Sequence, residues 1–357
     1  MPQAERATGQ RQAKSAVRLG GYGLLALALL ALAVATVSLA VGRFSIDVPL
    51  LLSTLVQSPS AIGHLIRGEA LGNEELVVFK MRLPRILAAL IIGGAMGMAG
   101  AAFQGMFRNP MVSPDLLGAT WGAGFGAACA MLFSLPMAVI TGSAFLGGLV
   151  AVLLTYIFSS TLGRGSANIT TLVLTGVVIS ALFQALISIT KYVADPYSQL
   201  PGITFFLMGG LSGITWNDIA FILAPVLAGS VVLYSLRWRI NILSLDDDES
   251  RSLGMDTQKV RILVIVCATL ISAVCVAVSG MIGWVGLVIP HLMRMVFGPD
   301  YRRLLPASFL AGALYLVLMD DIARGMFSME IPIGILTALV GAPVFLFLLF
   351  RYKGGWR

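Results

Sequence analysis

Two histidines, three cysteines and 17 acidic residues are the groups in this 357-residue chain that could ligate a metal, move a proton or attack an electrophile. His64 and His291 are far apart, and they form no His-rich metal site. Cys129, Cys267 and Cys275 lie inside apolar runs, which reads as small core residues rather than a disulfide framework. The acidic residues fall in polar segments, and Asp115, Asp320 and Asp321 come closest to the apolar runs, near their ends. Proton-driven carriers commonly hold a carboxylate or histidine within the membrane, and no carboxylate sits mid-run here. A G-x-x-x-x-G-K-[ST] phosphate loop is missing from the sequence. No paired carboxylates, Ser/His/Asp set or metal cluster supports an enzyme. Gly122-Ala123-Gly124-Phe125-Gly126 imitates a dinucleotide loop, but that fingerprint needs a preceding strand. Inside an apolar run it reads as helix packing.

Two charged patterns remain. The first is Arg82-Leu83-Pro84-Arg85, at the start of an apolar run. Pro84 suits a first helical position, whereas two arginines there oppose the helix dipole. An acidic partner outside the chain would relieve that opposition. Arg324 closes a later run on the same side. The alternative is local pairing of Arg324 with Asp320 and Asp321, four and three residues earlier. The second pattern is the segment 241–260. Ser244 or an aspartate can cap a short helix, acidic residues suit its first turn, and Gly254 can end it before Lys259 starts the next helix. Two short helices would form a docking element; the other reading is a solvated loop.

Composition identifies the elements that position these residues. The chain is 58% hydrophobic and 11% charged, with mean hydropathy +0.91. Soluble domains are about 45–50% apolar and about 25% charged. A soluble enzyme, a nucleic-acid binder and a disordered chain are excluded. Apolar stretches at 20–42, 84–107, 113–134, 138–161, 169–190, 217–236, 261–281, 284–297, 305–323 and 332–350 predict an all-α integral membrane protein of about ten transmembrane helices. The first run is too long for a signal-peptide core and reads as a retained span. From 262 to 297 a single helix would be about 54 Å long, so a hinge is expected at 280–283. Residues 199–211 are apolar but too short to span, which predicts a re-entrant or interfacial helix.

The net charge of +7 follows the positive-inside rule. With the N-terminus inside, Arg43, Arg67, Lys80, Arg82, Arg85, Lys191 and Arg324 fall outside, and the other basic residues of the 24 fall inside. Both termini are therefore expected in the cytoplasm, with tails at 1–19 and 351–357 flanking one domain over 20–350. Gly93 and Gly97, and Gly118, Gly122 and Gly126, have the four-residue spacing that lets helix backbones approach. A shared pattern within 86–119 and 262–296, small residues followed by a glycine and a proline-containing break, hints at an inverted repeat.

The chain resembles the membrane-spanning permease of iron-chelate, haem and cobalamin ABC importers, the type II importers. Four blocks carry the resemblance: Arg82–Arg85 running into 105–118, then 279–294, 300–306 and 330–343. With the acidic loop they cover about 80–350. The resemblance implies a homodimer around a central path, two separate cytoplasmic ATPase subunits that bind ATP and magnesium, and a substrate-binding protein outside. It implies no cofactor on this chain, no nucleic-acid partner, and residence in lipid in a bacterial or archaeal inner membrane. It assigns ATPase coupling to Leu245, Asp246, Asp247, Asp248, Glu249, Ser250, Arg251, Leu253, Gly254 and Met255, within a coupling loop at 243–260. It assigns binding-protein docking to Arg82, Arg85 and Arg324. Asn109, Met111, Asn168 and Thr170 match the gate. His291 belongs to a family block and need not mark a substrate. The segment 192–201 looks more like ferric-siderophore members, which ranks that cargo ahead of haem, then molybdate or cobalamin. A carrier driven by an ion gradient is the alternative of another class.

Overall fold

In a computed structural model the apolar runs become helices that differ sharply in burial. The structure describes residues 20–42, 72–162, 169–245, 247–326 and 329–351. The elements are α1 (Gly20–Ser38), α2 (Asn73–Met106), α3 (Ala119–Leu132), α4 (Met137–Leu162), α5 (Ile169–Val193), α6 (Gln199–Met208) and α7 (Trp216–Ser235). They continue with α8 (Arg237–Leu243), α9 (Asp247–Ser252), α10 (Thr257–Ser279), α11 (Val285–Phe297), α12 (Tyr301–Gly325) and α13 (Ile333–Arg351). Seven of these, α1, α2, α4, α5, α7, α10 and α12, are long and apolar enough to cross a membrane; α3, α6, α11 and α13 are shorter apolar helices.

Helices α2 and α10 form the centre. In their most apolar windows 83% and 78% of residues are buried, against 17% for α1, which stands at the periphery. Helices α4, α5 and α7 bury one face and expose leucines, valines and phenylalanines on the other. That is the pattern of helices whose outer face meets lipid rather than water.

Small residues decide the closest contacts. Helix α2 packs antiparallel on α12, with Gly93 on the Gly312 backbone and Gly97 on the Ser308 carbonyl. Helix α3 packs on α4 in the same way, Gly122 on Gly147 and Gly126 on Ser143. The dinucleotide-like glycines thus serve helix packing. A side chain at Gly312 would enter the Gly93 carbonyl. Overpacking a tight site costs about 1–3 kcal/mol and more where backbone is in the way. Gly312→Leu should therefore lower the thermal midpoint of the detergent-solubilised protein and broaden its size-exclusion peak. An unchanged midpoint would mean that the two helices do not pack this closely.

Three boundaries differ from the sequence reading or sharpen it. Helix α2 starts at Asn73, eleven residues before the expected run, through a π-helical stretch at Leu76–Arg82. Pro84 opens the α-helical part instead of the whole helix. A proline inside a helix removes a donor and crowds the carbonyl four residues back; the wider turn before it relieves both. Helix α12 starts at Tyr301 because Asp300 caps it, accepting from the Arg302 amide at 3.0 Å. The hinge after α10 falls where expected, between Ser279 and Val285.

Candidate functional site

The bundle has a polar cluster at each end and two cavities between helices. The cluster formed by the end of α1, the first α-helical turn of α2, the end of α12 and the segment before α13 is an ion-pair network. Arg85 Nη2 lies 2.8 Å from Asp320 Oδ1, and its Nη1 donates to Glu330 Oε1 at 2.8 Å. Arg324 Nη2 donates to the Ser38 carbonyl at 2.6 Å and contacts the Ser38 hydroxyl and Asp321. Arg324 Nε is 3.5 Å from Asp320 Oδ2. Arg82 donates to the Leu39 carbonyl at 2.5 Å. All three guanidinium groups are buried, and Asp320 is 1% exposed. The structure thus pairs Arg324 with Asp320 and Asp321, the local alternative of the sequence reading. Glu330, with a side chain 34% exposed, is the outermost acid of the network.

Beside this network lies a cavity of about 270 Å³, lined by Arg85 and Glu330 and by Phe206, Gly209 and Gly210 at the end of α6. A second cavity, about 510 Å³, is lined by Leu207 and Met208 of the same segment, by Met281, Trp121 and Ile335, and by Asp115 and Thr120. The end of α6 therefore stands between the two. It is fastened to the break after α10: the Gly210 amide donates to the Ser279 carbonyl at 2.8 Å. Gly209 and Gly280 both have positive φ and lie within contact of backbone, Gly209 near Met281 and Gly280 near Phe206. Any side chain would be strained at both positions.

The opposite end carries the segment between α7 and α10. Helix α8 begins at Arg237, so the first short helix precedes the acidic run instead of following Ser244. Helix α9 holds Asp247, Asp248, Glu249, Ser250 and Arg251. Asp246 lies outside the described residues. Ser250 is buried and donates to the Ile242 carbonyl at 2.8 Å, which pins α9 to α8. Glu249 and Arg251 are exposed, as are Leu245 and Leu253. Gly254 ends α9 with φ +76°, its amide bonding the Arg251 carbonyl. Met255 is half-buried against the core. Asp256 caps α10, and the Lys259 amide, with the Lys259 ammonium 3.0 Å away, holds its carboxyl below the usual range. The result is an exposed knob of mixed acidic and leucine surface on a rigid base.

Two gate candidates sit in the turn after α2. Asn109 accepts from the Met111 amide at 2.9 Å, and both residues are exposed. Thr170 is exposed in the first turn of α5, and Asn168 lies outside the described residues. The structure does not bring Asn109 and Met111 into the two cavities. His291 is buried within α11.

Sequence reasoning missed a set of residues next to the knob. Arg108, with φ +51°, donates to the Leu243 carbonyl at 2.9 Å. Asn241 of α8 bonds Asp300 and Tyr301 of α12. Arg294 of α11 donates to the Tyr301 hydroxyl at 3.0 Å and reaches Gln104 of α2. Asp300 was read only as part of the block 300–306, and its partner 59 positions away carried no local signal.

The FecCD transport family matches this sequence over residues 24–351. The chain belongs to the FecCD transport family. It is 40% identical over 337 residues to the molybdate import system permease protein MolB of Haemophilus influenzae, covering 93% of this chain and 96% of that one. A probable iron chelatin transport system permease protein of Helicobacter pylori is 39% identical over 291 residues, 82% of this chain and 87% of its own. A solved inward-facing structure of a metal-chelate type ABC transporter is 39% identical, with TM-score 0.82, covering 92% of this chain and 98% of that chain. The chain is an ABC importer permease of this family and a multi-pass membrane protein.

Proposed function

We propose that this FecCD permease forms the translocation path of an ATP-driven importer for a metal chelate, with a ferric siderophore as cargo. It works as a homodimer of ten-span subunits in the inner membrane of a bacterium or archaeon, both termini cytoplasmic. Two ATPase subunits seat on the α8–α9 knob, and ATP and magnesium bind there and not on this chain. A binding protein delivers cargo at the ion-pair end. The single observation that carries the reading is the knob itself. It is an exposed helix fixed on a buried serine, with leucines at both ends, on the side of the bundle that the positive-inside rule assigns to the cytoplasm.

The docking role of Arg82, Arg85 and Arg324 takes a modified form. The charges of Arg85 and Arg324 are shared with internal acids and Arg82 donates to the Leu39 carbonyl, so a binding protein meets the rim of the network at Glu330 first. Asn109 and Met111 in the turn after α2, and Thr170 in the first turn of α5, remain gate candidates, as does Asn168 from the sequence. The end of α6 is the candidate for the opposite closure, because it stands between the two cavities.

A second reading of the cargo has its own support: the relative named for molybdate aligns along nearly the whole of both chains. Other relatives carry the names of hemin and cobalamin. Uptake into proteoliposomes containing this chain and its ATPase decides among them, using a ferric siderophore, hemin, cobalamin and molybdate, each with its binding protein. Accumulation of the ferric siderophore alone is the expected result. Accumulation of molybdate alone would replace the cargo assignment and leave the importer intact.

A further inference from the structure

Helices α2 and α12 run antiparallel in one unbroken register. Arg85 meets Asp320, Gly93 meets Gly312, Gly97 meets Ser308 and Gly105 meets Tyr301. From Arg85 to Gly105 is about 30 Å of helix, the thickness of a bilayer core. Backbone-to-backbone contact in the middle leaves no space for one helix to slide on the other. Charged and polar groups pin the pair at both ends. The two helices are therefore one rigid rod from the knob end to the ion-pair end.

The rod is joined to the knob through one short helix. Asn241 of α8 uses both halves of its amide. Its Nδ2 donates to Asp300 Oδ1 at 2.8 Å, and its Oδ1 accepts from the Tyr301 amide at 2.9 Å. A carboxylate only accepts and a backbone N–H only donates, so the pair of partners fixes the amide's orientation. Asp300 Oδ1 meanwhile caps α12. Arg302 lies over the Trp238 ring, 4.2 Å from its centroid, and Arg108 holds the Leu243 carbonyl. Ser250 links α8 onward to α9.

We infer that Asn241 is the positioning residue that joins the exposed α8–α9 knob to the α2–α12 rod, so that force on the knob moves the far end of the rod. This rests on the proposed seating of the ATPase on the knob. Movement of α9 reaches α8 through Ser250, and α8 reaches the start of α12 through Asn241. The rod carries it across the membrane to the Arg85–Asp320–Glu330 network.

The test uses the complex of this chain and its ATPase in lipid nanodiscs. Met326→Cys places a nitroxide label at the exposed ion-pair end of α12. The native cysteines lie in apolar surroundings, Cys267 and Cys275 buried and Cys129 half-buried, and react more slowly. ATP with vanadate is the probe, and the spectral change on trapping is the signal. Three variants are compared at equal ATPase co-purification. Asn241→Asp loses the donor and sets two carboxylates together, and should reduce the signal ~5-fold, within the range that coupling contacts give. Asp300→Asn keeps an acceptor for Asn241 and should behave as the parent. Asn241→Asp combined with Asp300→Asn rebuilds the pair with donor and acceptor exchanged and should restore the signal.

A merely structural role for Asn241 would lower expression or stability in Asn241→Asp and leave the trapping signal of the purified complex at the parent's size. A full signal in Asn241→Asp overturns the inference, as does a double variant no better than the single one. A trapped parent complex with no change at position 326 also overturns it. Failure of the parent chain to retain the ATPase would instead overturn the proposed function.

Discussion

Asp320→Ala should destabilise the protein by about 3–5 kcal/mol, the usual loss when one partner of a buried ion pair is removed. Asp320 is 1% exposed and faces Arg85 at 2.8 Å and Arg324 at 3.5 Å. Without it two buried guanidinium groups share, among the described residues, Glu330, Asp321 and the Ser38 oxygens. Replacement by alanine also leaves a gap between two closely packed helices. Asp320→Asn keeps the shape and loses only the charge, so its loss should be smaller. Thermal unfolding in detergent, followed by the folded size-exclusion peak, measures both. Equal midpoints for Asp320→Ala and the parent would mean that water screens the network as it screens a surface pair.

The second large effect concerns the knob. Leu245 and Leu253 are exposed apolar residues on an acidic segment, Leu253 by 62%. A few well-packed, desolvated residues near the centre of an interface carry most of its binding energy, and a charge placed there is costly. Leu245→Asp with Leu253→Asp should therefore weaken ATPase binding at least ~100-fold, as loss of two central contacts does. The fold should survive, because neither side chain is in the core. Removing residues 246–251 should abolish co-purification. Retained stoichiometric binding in both variants would contradict the coupling assignment.

The parts of the fold set by local physics were legible. Long apolar runs have one solution in lipid, so the break near Gly280 and seven of the ten expected runs could be read directly, whereas the runs at 113–134, 284–297 and 332–350 hold shorter apolar helices among the described residues. Glycine spacing pointed to close contacts before any partner helix was known, and Gly93 and Gly97 found Gly312 and Ser308. Pro84 was harder. A proline reads as a start, and only the π-helical stretch before it shows how the helix continues toward Asn73.

The arginines show the limit for the site. Arg82-Leu83-Pro84-Arg85 reads as an exposed docking motif because nothing near it is acidic until Glu75. Its partners, Asp320 and Glu330, are 235 and 245 positions away. Arg324 had its partners three and four residues back, and there the local alternative described the geometry. Asn241 had no pattern at all, since one amide between two long-range partners has no period and no spacing. The knob was legible in composition, but its attachment through the buried Ser250 was not.

The central claim is that ATP, and not an ion gradient, drives cargo through this chain. Proteoliposomes are prepared with the chain and its ATPase, with the cargo and binding protein outside and the ATPase side within. Uptake is measured with ATP inside, without ATP, and under a sodium or proton gradient with the ATPase omitted. Accumulation only with internal ATP is the predicted result. Flux under the gradient without the ATPase would contradict it, and would make the α8–α9 knob an ordinary solvated loop.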